Sequence, residues 1–439
     1  WNDSVRMMKE EAEWRTRKAV RRGLPPVVPL YDEKDVDKAL KLLRPTDWDT
    51  ETAAVDGVSF SLHDAGHILG SSSIAFKLSE GDRATRLVFS GDLGQQFPAV
   101  DRAPSAIREA DYVLVESTYG DRLHKDDAAT REEFRSVILT ALKDRGKVLI
   151  PSFVVDRAQR LLFELSLMQI EGLLPEIPIF FDSPMGVRAT ELYRMYGDTL
   201  SGEVRRHAAA GVDLFSPRGF KNVSTPEESQ KINDVPFGIV IAGSGMCTGG
   251  RIVHHLKHGA WNPRNHIVFV GYQAYGTLGR RIVDGETELR IAGEDVIVKA
   301  QVHTIGGFSA HGDRDDLLAW AGHYTTNPLF FVTHGEPKAS QALSAALRER
   351  GMRGIVPALG QEFSIEPGAS ADTMEAEAKP AAAVRTPQAE IPGVLDDIER
   401  LLERLRRDEG ALADSEESKR LLLSARTALE SALRGKTAP

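Results

Sequence analysis

Apolar positions along this chain change rhythm several times, and the changes mark out its elements. Residues 5–22 (VRMMKEEAEWRTRKAVRR) place apolar side chains at helical spacing among many charges and stop at Gly23 and the Pro25-Pro26 pair, which predicts an amphipathic helix. A second short helix is expected at 35–43. From about residue 57 the pattern turns to short strands, VSFSLHDAG, SIAFKL, RLVFSGD and DYVLVEST, each bounded by Gly, Asp or Pro. Helical material at 128–144 then leads to the apolar strand KVLIPSF, a long helix from Asp156 and the strand PIFFDSP. Such alternation predicts a parallel α/β layer, which GIVIAGSG and HIVFVGY continue. Strands VIVKAQVHTIGG and LFFVTHGE, with a helix at 313–321 between them, return to the earlier style.

The organisation expected from this is a sheet domain over 1–126, an inserted parallel α/β domain over 127–294, and a return to the first domain over 295–367. Beyond it the composition shifts to Ala, Pro and Glu, which predicts a disordered linker at 368–392. In 393–439, Val394, Ile398, Leu401 and Leu405, then Leu422, Ala425, Leu429 and Leu433, recur at three- and four-residue spacing. A helical hairpin that packs on itself or on a second copy is expected there.

Composition narrows the class. The 439 residues are 41% hydrophobic and 27% charged, as in ordinary globular proteins, and no stretch approaches the roughly 18 apolar residues of a membrane helix. The single cysteine, Cys247, excludes an internal disulfide and fits a reducing compartment, so a cytoplasmic location without membrane contact is expected. A net charge of −9 argues against bulk coating of nucleic acid but leaves room for a narrow basic groove.

Four motifs put His, Asp or Glu at the ends of expected strands. AGHILGS (65–71) carries His67 beside glycines that let the backbone bend tightly. FSGDLG (89–94) ends an apolar strand in Asp92, a carboxylate able to bridge two cations. VTHGE (332–336) ends another strand in His334, and GFSAHGD (307–313) opens a helix, where backbone amides around Ala310 and Gly312 could meet an anion and Ser309 adds a hydroxyl donor. His311 would stand beside that anion, and Glu116 of VEST (115–118) could orient its imidazole and raise its pKa. A glycine-rich loop, GSGMCTGGR (243–251), could cradle a phosphate through Ser244, Gly245, Gly249 and Gly250 while Arg251 clamps it. His254, His255 and His258 follow on a helix and are expected to pack or face solvent. His63 is expected to share a strand face with His67 as structural support, and Tyr119 and Asp121 to shape the loop after Glu116.

The run AGHILGSSS, SGDLG, ESTYGDR, PSFVVDRAQ, DSPM, GSGMCTGGR, GGFSAHGD and VTHGE resembles the metallo-β-lactamase-fold ribonucleases of the β-CASP family, over roughly residues 1–367. The resemblance implies an αββα sandwich with an inserted β-CASP domain, and RNA threading between the two. It implies zinc, two ions per complete site, with His67, Asp92 and His334 as ligands and Asp92 bridging. Glu116 and His311 would be the acid and histidine of the family's second group of motifs, with His311 protonating the leaving oxygen. Ser309, His311, Ser244 and Arg251 would contact phosphates.

The family also uses a His-x-His-x-Asp-His motif, and none of the twelve histidines forms one. The expectation is that it lies upstream of Trp1, and that the chain alone holds zinc poorly and is inactive. Two alternatives stay open: a non-catalytic scaffold subunit, and a metallo-hydrolase acting on DNA or another phosphodiester. Internal and 5′-end cleavage of RNA are equally compatible with the motifs.

Overall fold

Two large sheets dominate the described residues, and the first takes its strands from both sides of the long segment that forms the second. A computed structural model describes residues 1–21 and 23–365. The first sheet has seven strands in the order Thr52–Val55, Val58–Asp64, Ser72–Glu80, Arg83–Phe89, Tyr112–Val115, Leu329–Val332 and Arg353–Ile355. Its first four strands run antiparallel, as short turns between sequential strands dictate. From Arg83–Phe89 onward all neighbours are parallel. The strands around Tyr112–Val115 bury Val88, Val113, Val115, Phe330 and Val332 under Leu317 and Trp320 of helix Arg314–Ala321 and Leu343 and Leu347 of helix Pro337–Glu349. The αββα expectation has two facing sheets; the described residues form one of them, within a mixed α/β fold.

The second sheet is wholly parallel, in the order Gln301–Thr304, His266–Phe269, Lys147–Pro151, Gly238–Ala242, Ile179–Asp182 and Phe220–Val223. Its strands read as continuous apolar runs because both faces are covered. Val148, Ile150, Ile239 and Ile241 face helices Asp127–Asp144 and Arg157–Ile170, whereas Leu149, Val240, Ala242 and Ile267 face helix Arg251–Gly259.

One boundary differs from expectation. The apolar run after residue 295 is not one strand of the first domain. Glu294–Ile297 closes a hairpin with Glu288–Ile291, and Gln301–Thr304 pairs in parallel with His266–Phe269, so it extends the second sheet. The return to the first sheet comes later, at Leu329.

Both sheets lie in the unit Trp1–Pro357. A third apolar cluster joins them: Val100, Phe163, Leu167, Tyr193, Leu200 and Phe215, with Leu69 packed against it. Ala358–Ser364 falls outside this unit and makes a turn in which Gln361 N–H donates to the Ala358 carbonyl. The expected linker at 368–392 and helices at 393–439 lie outside the described residues.

Candidate metal centre

Three neighbouring parallel strands, Arg83–Phe89, Tyr112–Val115 and Leu329–Val332, end side by side, and just past their C-terminal ends stand Asp92, Glu116 and His334. Strands about 4.8 Å apart thus bring together residues that lie far apart in the chain. The His67 loop is pressed onto this rim by glycines. A Cβ on Gly94 would stand 1.7 Å from the Gly66 carbonyl oxygen, so only glycine fits, and the Gly94 amide donates to Ala65 at 2.9 Å. Gly66 itself takes φ +66°, a conformation that side chains rarely adopt. Ser71 Oγ accepts from the amides of His67 and Ile68 and closes the turn.

Asp92 lies between two imidazoles. Its Oδ2 is 3.8 Å from His67 Nε2 and its Oδ1 is 3.4 Å from His334 Nδ1. His311 stacks at a tilt on His67, ring centres 4.3 Å apart, and His67, Asp92 and His311 present donor atoms within 4.8 Å of one another. Glu116 is buried behind them. Its carboxylate accepts from the amides of Leu93 (2.7 Å) and Thr118 (3.1 Å) and from His311 Nδ1 at 3.0 Å. Burial disfavours the Glu116 anion, yet the bonds from His311, Thr118 and Leu93 outweigh it and lower its pKa. An ionised Glu116 requires the proton on His311 Nδ1, leaving Nε2 as the second nitrogen. Burial works against the His311 cation too, and the Glu116 bond and charge again win, raising its pKa.

His67 goes the other way: burial, then the charge of His311, pushes its pKa down. Its Nδ1 is buried without a hydrogen-bond partner, while Nε2 is turned to Asp92. A neutral imidazole beside a carboxylate whose two oxygens are turned to two different histidines is an arrangement that ligands of a divalent metal require. The residues present fit such an ion.

Comparison with known proteins bears on the same segments. A Beta-Casp domain model matches residues 158–282, and a model described as a Zn-dependent metallo-hydrolase RNA specificity domain matches 295–357. The chain is 41% identical over 335 residues to a ribonuclease of Thermus thermophilus, covering 76% of this chain and 75% of that one. The chain belongs to the β-CASP family of metallo-β-lactamase-fold ribonucleases. The transcription termination factor FttA of Thermococcus kodakarensis is 35% identical over 334 residues, covering 74% of this chain and 51% of that protein. FttA of Methanocaldococcus jannaschii is 36% identical over 316 residues, with 70% and 49% covered, so the chain spans about half the length of these archaeal relatives.

Other expected site residues are placed differently. The anion expected at the start of helix Arg314–Ala321 is the chain's own: the Asp313 carboxylate caps the amides of Asp315 and Asp316 and accepts from His124 N–H. Gly312 N–H already donates to the Leu93 carbonyl at 2.7 Å, so that amide is not free for a phosphate. Ser309 and Ala310 are buried in the same loop, which Gln95 ties to the Asp92 segment by donating to the Ser309 carbonyl.

In the glycine-rich loop, Gly250 (φ +73°) lies with its Cα face on the Gly243 carbonyl, and Ser244 Oγ accepts from Thr248 N–H. Gly245 sits against Phe153, and Gly249 has open space around it. Arg251 is turned inward rather than toward a ligand. Its guanidinium bonds Asp182 and the carbonyls of Ser224 and Thr225, because a buried aspartate at a strand end needs a cation. The same Asp182 accepts from His255 Nε2 at 2.7 Å and from Ser229 Oγ, so His255 is a packing residue.

His63 bonds Asp49 and Ser61 rather than the site, since its strand ends at Asp64 and alternation stops before His67. Tyr119 packs on His124 (ring centres 4.8 Å), whose Nε2 bonds the His311 carbonyl. Missed by the sequence reading was a buried group on the PSFVVDRAQR segment, Asp156 and Arg160 with Asp101. Its signal was the Asp-x-x-x-Arg spacing of one helical turn, but Asp101 is 59 residues away.

Among the described residues no helix is long and apolar enough to cross a membrane.

Proposed function

We propose that the protein hydrolyses RNA phosphodiester bonds with zinc, two ions in the complete site, held in part by His67, Asp92 and His334, with Asp92 shared between them. Bound zinc would polarise the phosphate and supply a nucleophile at neutral pH. The observation that carries this reading is Asp92 with its two oxygens turned to two different histidines, beside a His311 held by a buried carboxylate. In it, Glu116 fixes the tautomer and direction of His311, and His311 Nε2 delivers the proton to the departing oxygen. The Ser244–Gly249 loop would contact the flanking phosphates. The name of the Thermus relative and the description of the domain at 295–357 support RNA as substrate over DNA. A cytoplasmic setting suits the lone buried thiol.

A second reading of His311 has its own observation: it completes the tight group with His67 and Asp92, as a ligand would. One experiment separates them. In the protein with its metal site complete, His311→Ala is expected to lower single-stranded RNA cleavage about 10²- to 10⁴-fold with metal content unchanged, because only proton transfer is lost. Parallel loss of bound zinc, measured by elemental analysis, would assign His311 to the metal instead. Equal cleavage of single-stranded DNA would refute the RNA preference.

A further inference from the structure

The C-terminal ends of the second sheet's parallel strands all open on one side, the place where such sheets bind ligands. Three exposed aromatic rings stand there: Phe153 (49% exposed) after Lys147–Pro151, and Tyr272 (56%) and Tyr275 (88%) after the neighbouring strand His266–Phe269. The glycine-rich loop follows the strand on the other side, Gly238–Ala242. These loops are fastened to each other. A Cβ on Gly245 would stand 2.9 Å from the Phe153 ring, and Gln273 Nε2 donates to the carbonyls of Gly245, Gly271 and Tyr272. The rings therefore sit on a rigid base.

They also adjoin the reaction centre. Just past Phe153, Asp156 accepts from Arg160 Nε, and Arg160 Nη2 donates to Asp101 of the segment that follows Asp92. Arg157, half-buried under the rim, is tied to the Val270 carbonyl and packs on Gly271, at the root of the Tyr272 loop, so it braces that loop from below. Exposed rings held side by side on a rigid base are the chemistry on which the bases of a single strand stack.

We propose that Phe153, Tyr272 and Tyr275 form a base-stacking subsite for the RNA nucleotides adjoining the cleaved phosphate. The proposal rests on the RNA reading above and adds the contact that seats the strand. Three adjacent strands span about 10 Å, room for a few stacked or splayed bases, and every base offers a π-face, so the subsite is tolerant of sequence.

The test measures binding rather than turnover. The full chain, in EDTA, is titrated into a fluorescent single-stranded RNA, and Phe153→Leu, Tyr272→Leu and Tyr275→Ala are compared with Trp261→Leu. Trp261 is as exposed as Tyr272 (56%) but precedes strand His266–Phe269, at the opposite end of the sheet. Each rim substitution is expected to weaken binding about 5- to 150-fold, with Trp261→Leu unchanged. An RNA bearing 2-aminopurine should be quenched by the wild type and less so by the variants. If the wild type binds RNA and all three rim variants bind as well as it does, the subsite is refuted while the RNA reading stands. If the wild type binds no RNA, the RNA reading itself falls. Tyr275→Ala, at a ring 88% exposed, keeps the test independent of folding.

Discussion

Asp101 and Asp156 occupy the same buried cluster, and replacing each by asparagine should have opposite consequences. Arg160 lies between them, its Nε 2.9 Å from Asp156 and its Nη2 3.1 Å from Asp101, and all three side chains are within 5% of full burial. Arg160 bonds both carboxylates with its one guanidinium, so the two aspartates compete for its charge. Burial, then the charge of Asp156, drives the Asp101 pKa well up; for Asp156 burial is outweighed by Arg160, and its pKa falls. Within the pair the fold therefore favours the proton on Asp101 and the charge on Asp156.

Asp156→Asn removes the anion and leaves Arg160 uncompensated, a loss of about 3–5 kcal/mol. Asp101→Asn substitutes an amide, with a donor toward Asp156 and an acceptor toward Arg160. It replaces a group that the fold drives toward its protonated form but that ionises on unfolding at pH 7. The substitution removes the cost of taking up that proton and should raise stability at pH 7. The pH dependence gives a second check. Asp101 has a raised folded pKa, so its contribution is full below about pH 4 and declines as pH rises through the folded value. Asparagine has no proton to take up, so the variant should gain on the wild type as pH rises. Urea unfolding followed by tryptophan fluorescence, at pH 5, 7 and 8.5, measures both. Equal destabilisation by the two substitutions would mean that both aspartates are ionised and would refute the argument.

Two further predictions concern groups away from the site. Glu164 is buried beside Arg131, and burial wins over that partner, lifting its pKa to about 7; wild-type stability should therefore decline between about pH 4.5 and 7, and Glu164→Gln should be the more stable protein at pH 8 by order 2–3 kcal/mol, with melting curves at pH 5 and 8 as the measure. Equal gain at both pH values would refute the burial argument. Cys247 is buried, which pushes its thiol up to about 12, so iodoacetamide at pH 8 should label it only after unfolding; full labelling of the native protein would contradict its packing.

The parts of the site that could be read in advance were those written locally. Asp92, His334 and Glu116 each end an apolar run beside a glycine or a hydroxyl residue, and a strand end is a short-range pattern. That the three strands are neighbours, in the order that sets the carboxylate between two histidines, follows from pairing between residues such as Val113 and Phe330, which periodicity does not encode. Arg251 shows the same limit from the other side. In a glycine-rich loop it reads as a phosphate clamp, but its partner Asp182 lies 69 residues away, at the end of the neighbouring strand opposite Ala242. Gln301–Thr304 has one alternation whichever sheet it joins, so its assignment waited on the register with His266–Phe269.

The nonlocal contacts also explain why the two lobes act as one device. Asp101 follows the Asp92 loop of the first lobe, and Arg160 belongs to the helix that begins at Arg157 in the second. Tyr193 of the second lobe holds the turn of His67 by accepting from Leu69 N–H at 3.3 Å, and Ser201 donates to Val100 and Ala99. Loosening Asp156 would thus release two things together: the seat of His67, and the rim from Phe153 to Arg157 that faces it. A stability loss at that cluster should accordingly weaken RNA binding by the metal-free protein as well, though neither Asp101 nor Asp156 need touch the RNA. If Asp156→Asn unfolds at lower urea yet binds RNA with undiminished affinity, the lobes are coupled in folding alone, and the rim is positioned by its own loops, Gln273 and Gly245 first among them.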